Sequence, residues 1–133
     1  MDIDLSTGAP ASPERTRQLA EAFAELARVL NHATMDRAAF GVPSDIDRVL
    51  WEVEAAVSRL PQLLSQLTRW VAAEDAAGRV AVAGGEEQSG HPAAAVLALA
   101  DLGEVARMSA GTLRADLRAM ARVTGTLAAA GPI

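Results

Sequence analysis

The residues of this chain that could do chemistry are few and scattered. His32 and Asp36 stand four apart, a spacing that puts two metal ligands on one helix face. Two ligands do not make a site, and no third candidate lies near them. Glu-x-x-His, the repeat of di-iron bundles, is absent, as is His-Glu-x-x-His. The other histidine, His91, precedes Pro92 and reads as part of a helix start. No Gly-x-Ser-x-Gly is present to hold a nucleophile in a strained turn. Of the acidic pairs Glu21/Glu25, Glu52/Glu54 and Glu86/Glu87, only the first shares a helix face, where solvated acids are ordinary. There is no cysteine and no lysine, so thiolate chemistry, a P-loop lysine and a Schiff-base lysine are excluded. The expectation is a non-enzyme with no cofactor and no metal.

Binding chemistry is better represented. Arg114, Arg118 and Arg122 stand at intervals of four, and Arg107 lies one heptad before Arg114. Residues 105–133 hold these four arginines against the single Asp116, while the whole chain carries −5. Such a ridge grips phosphate or carboxylate. Three uses are open: internal pairing with acids such as Glu21, Glu25 and Glu52, an acidic protein partner, or nucleic acid. Against nucleic acid, the ridge lacks interleaved aromatics and helix-turn-helix spacing. Trp51 is the other candidate. It falls opposite the main apolar stripe, so it is either covered by a neighbouring segment or exposed as a partner contact, with Leu50 and Val42 around it.

The elements that must position these residues are helical. Ile46, Val53, Leu60 and Leu67 fall seven apart, and Val49, Ala56, Leu63 and Trp70 lie three behind them. Leu50, Val57, Leu64 and Val71 widen the stripe, which gives one helix over about 45–77 with roughly three positions in seven buried. Pro61 interrupts it without changing its phase and predicts a kink; a short break at residues 59–60 is the alternative. Ser12-Pro13-Glu14 is a helix start, and Leu19, Phe23, Leu26 and Leu30 carry that helix to Leu30 or as far as Phe40. Gly41-Val42-Pro43 is a stop, with Ser44 or Asp45 able to cap the second helix. A third helix spans about 92–129, and Gly103 and Gly111 within it call for a close neighbour or a break near Gly111.

The expected fold is therefore all-α, an up-down bundle of three long helices. Residues 1–12 are expected as a disordered tail and 13–130 as one bundle domain, with a flexible linker over 78–91. Half the residues are apolar, but alanine supplies much of that half and aromatics are only 3%, so the core is thin. Helices so long, with so wide a stripe, favour a homo-oligomer. The acidic start lacks the basic and apolar run of a signal peptide, and no apolar stretch approaches a membrane span, so a cytoplasmic setting away from membranes is expected. A scaffold or adaptor is the leading function. A small nucleic-acid-associated regulator using the arginine ridge is the alternative.

Val29-Leu30-Asn31-His32-Ala33-Thr34, Leu60-Pro61-Gln62-Leu63-Leu64-Ser65-Gln66-Leu67, and Trp70 to Ala73 with Gly78-Arg79 resemble segments of small alanine-rich helical proteins of high-GC actinobacteria. The resemblance covers roughly residues 25–100 and implies a lineage, not an activity. The pattern of small secreted helical hairpins with a Trp-x-Gly turn is not met, because Trp51-Glu52-Val53 and Trp70-Val71-Ala72 lack the glycine.

Overall fold

The computed structural model describes residues 3–83 and 92–130, and every regular element among them is helical. Most of the expected 78–91 linker, including Glu86, Glu87 and His91, lies outside the described residues. Contacts divide the chain into two compact units, Met1–Gly41 and Val42–Ile133. The division falls at Gly41-Val42-Pro43, where the sequence signals a stop.

The first unit is built on α1, Pro13–Ala33. Ser12 caps it by accepting from the Arg15 N–H at 3.0 Å, with Pro13 at the first helical position. The Arg15 guanidinium donates to the carbonyls of Asp4 and Ser6, so the segment expected as a disordered tail is tied to the helix at two points. The helix ends between the two expected limits. Thr34 turns its hydroxyl back onto the Leu30 and Asn31 carbonyls, and Asp36 then caps a single 3₁₀ turn, Arg37–Ala39, by accepting from the Ala38 N–H. Along α1, Phe23, Leu26, Val29 and Leu30 remain exposed, and only Ala22 is buried.

The second unit is a helical hairpin. Its first arm is bent and comprises α2, Pro43–Ser58, and α3, Leu60–Ala76. Val42, not Ser44 or Asp45, takes the cap position of α2. Asp45 instead reaches back from the first turn to accept from the Val42 N–H. The bend lies at Arg59, just before the point where Pro61 can donate nothing to the Val57 carbonyl. Arg59 keeps right-handed helical angles, and Ser58 and Arg59 both donate to the Ala55 carbonyl. The arm therefore bends at one turn residue, where the Arg59 N–H reaches the Ala56 carbonyl three residues back, and the helix resumes at Leu60. It ends on Gly78, whose positive φ of 73° lets the Arg79 N–H return to the Glu74 carbonyl.

The second arm is α4, Ala93–Thr124. It passes through Gly111 as helix, so the alternative of a break there does not hold. Thr124 meets Asp47 at one end and Gly103 meets Thr68 at the other, which makes the arms antiparallel. The core between them is thin, as alanine content dictates. It comprises Leu50, Val57, Ala110, Leu117 and Ala121, with Val53 and Leu60 packed at its edge.

Candidate protein-interaction surface

The seam between the arms runs along Leu50, Glu54, Val57, Leu64, Thr68 and Val71, which are buried or half-buried. These positions recur at spacings of three, four and seven, so they share one face of the bent arm. The line that sequence reading takes as a widening of the stripe is thus its centre. The line taken as the centre lies to one side. Leu63 is exposed, Leu67 is 52% exposed and Trp70 is 64% exposed. The reason is Glu54. Apolar periodicity alone disfavours a carboxylate at the seam, yet this one is buried at 7% exposure because α4 brings it two cations.

The Nε of Arg114 donates to Glu54 Oε1 at 2.6 Å, and the Nε of Arg118 donates to the same oxygen at 2.9 Å. The Arg114 hydrogen bond holds the Glu54 carboxyl below its usual range. Desolvation opposes that, and the Arg118 charge adds to it. Two of the four ridge arginines are therefore used inside the hairpin, on an acid that sequence reading passes over in favour of Glu21, Glu25 and Glu52. Arg107 pairs with Glu104 on its own helix at 2.9 Å. Arg122 is exposed and forms no ion pair among the described residues. The signal for Glu54 is present in the sequence: it stands four after Leu50 and three before Val57, on their face, while Arg114 and Arg118 flank Leu117.

Trp51 lies on the same side as this ion cluster and is 46% exposed. Its ring lines a shallow groove with Ser44, Asp47, Arg48 and Glu52. It is neither buried nor fully bare. His32 and Asp36 form no centre, since Asp36 is engaged as a cap. Among the described residues no three acidic or histidine side chains gather where a metal ion could sit.

The opposite side of the hairpin is apolar. At about 100° per residue, Leu63, Leu67 and Trp70 stand roughly a quarter turn from the seam of the first arm. On α4, Leu102, Val105, Leu113, Met120 and Val123 stand a quarter turn from their seam in the same sequence sense, and all are exposed. In antiparallel arms that shared sense places both lines on one side. The ion cluster checks the geometry. Glu54, Arg114 and Arg118 deviate from the seam in the other sense on both arms, and they meet. The hairpin is thus amphipathic, with one face mostly apolar, interrupted on α4 by the exposed Asp116, and one face that carries the ion cluster.

No known protein family, curated protein or solved structure matches this chain. No helix among the described residues is long and apolar enough to cross a membrane.

Proposed function

We propose that this chain is a non-catalytic helical assembly module, a scaffold or adaptor that self-associates through the apolar faces of its helices. The observation that carries this reading is the exposed apolar line on each arm, turned to one side of the hairpin. An exposed apolar face of this size is rare on a free surface and marks a site of association. The face calls for at least one further helix, as the expected up-down bundle of three arms does, and self-association supplies it from another copy. A cytoplasmic setting belongs to the same reading.

Regulation through nucleic acid has less support. Arg114 and Arg118 are committed to Glu54 and Arg107 to Glu104, which leaves Arg122 as the ridge cation without an ion pair among the described residues. Salt separates the two readings. Sedimentation of the protein at low and high salt should show association that persists or strengthens as salt rises. Association that dissolves as salt rises, together with retention of a nucleic-acid duplex at low salt, would replace this reading with the nucleic-acid one.

A further inference from the structure

We infer that the occupant of the hairpin's apolar face is the same face of a second copy, in a closed two-fold dimer. The inference rests on the association proposed above and adds the partner, the surface and the stoichiometry.

Three observations select this occupant. The first is area. A half-exposed large apolar side chain offers on the order of 100 Å². The eight exposed chains of this face, Leu63, Leu67 and Trp70 on one arm and five from Leu102 to Val123 on the other, thus offer about 800 Å² per copy, equal to the ~800 Å² per partner of a standard interface.

The second is length. The exposed line on α4 runs from Leu102 to Val123, about 32 Å at the rise of a helix, whereas the apolar stripe of α1 from Leu19 to Ala33 spans about 21 Å. One α1 stripe is too short to cover this face. An identical hairpin matches it by construction.

The third is closure. The side turned away from this face holds Glu54, Arg114, Arg118 and Arg122, and its exposed apolar chains Trp51, Leu97 and Met108 stand apart among charged residues and form no second line. An isologous contact between two such faces uses both and leaves none to extend, so assembly through the hairpin stops at two.

The chain has no cysteine, which makes site-directed thiols clean probes. Full-length Leu67→Cys and Leu113→Cys place thiols on the apolar face, and Ala115→Cys places one away from it. Circular dichroism checks that each variant is folded. With a flexible bismaleimide, the first two should give covalent dimers and the third should not. Alkylation of the first two should be at least tenfold slower than that of the third, and dilution into monomer should abolish the difference. Cross-linked ladders beyond the dimer would overturn two-fold closure while leaving self-association intact. A Leu26→Cys/Leu113→Cys double variant that cross-links within one chain, in a protein of single-chain mass, would overturn both the dimer and the self-association reading. Equal dimer yields from all three single variants would overturn the choice of face.

Discussion

Gly103 and Gly111 lie on the same helix and carry the same intrinsic penalty, about 1 kcal/mol each against alanine. Their surroundings give substitution opposite signs. A Cβ built on Gly111 meets nothing within 4 Å, so Gly111→Ala should stabilise by about 1 kcal/mol. A Cβ built on Gly103 comes within 2.8 Å of the Thr68 Cγ2. That methyl cannot swing aside cheaply, because the Thr68 hydroxyl donates to the Leu64 and Ser65 carbonyls at 3.2 Å each and fixes its rotamer. Overpacking of this kind costs about 1–3 kcal/mol, which outweighs the helix gain and leaves Gly103→Ala destabilised by roughly 1 kcal/mol. At roughly 3–5 °C per kcal/mol for a chain of this size, the two variants should melt about 6–10 °C apart. The assay is thermal and urea unfolding monitored by circular dichroism, at one protein concentration because association shifts the midpoint. Thr68→Ser removes the obstructing methyl, so in that background Gly103→Ala should become stabilising. If Gly103→Ala stabilises the unmodified protein as much as Gly111→Ala does, α4 does not approach α3 as closely as described and the seam is misplaced.

Acid should unfold the hairpin through Glu54. Its folded-state pKa is lowered by Arg114 and Arg118, so its contribution is present above the ordinary value of 4.5 and is lost as pH falls through the folded value. Glu54→Gln should lower the melting temperature at neutral pH and flatten the decline on the acid side, as pH-dependent melting would show. Leu117→Ala, at a buried core position, should cost about 2–4 kcal/mol by urea titration, near the lower end because small neighbours can close over the gap. Arg118→Ala should destabilise, whereas Arg122→Ala should leave the melting temperature unchanged. Equal losses from the two would remove the distinction between paired and free ridge arginines.

The sequence carries the helices and their boundaries well because those signals are local. Pro13 after Ser12, Pro43 after Gly41-Val42 and Pro61 in an unbroken stripe each constrain the backbone by their own chemistry, and each sits where a helix starts or bends. The end of α1 is less legible. Thr34 donates to carbonyls of the last turn while Asp36 accepts from the Ala38 N–H beyond it, and composition does not fix which of these side chains sets the boundary. The seam is misread for a physical reason. Periodicity ranks positions by apolarity, so a line through Leu60, Leu63, Leu67 and Trp70 outscores one that contains Glu54 and Thr68. What reverses the ranking is long-range. Glu54 is stabilised by arginines about 60 residues away, and Thr68 is suited to the seam by the missing side chain of Gly103. The same displacement makes the apolar face visible only in three dimensions, since Leu67 and Trp70 read as core until their neighbours are placed.

Molar mass by light scattering on the full chain, across a wide concentration range, bears on the apolar face without intermediaries. The expected result is twice the single-chain mass of 13.8 kDa, falling to the single-chain value when Leu67→Arg and Met120→Arg are combined. A single-chain mass at every concentration would contradict it, and so would an unchanged dimer in the double variant.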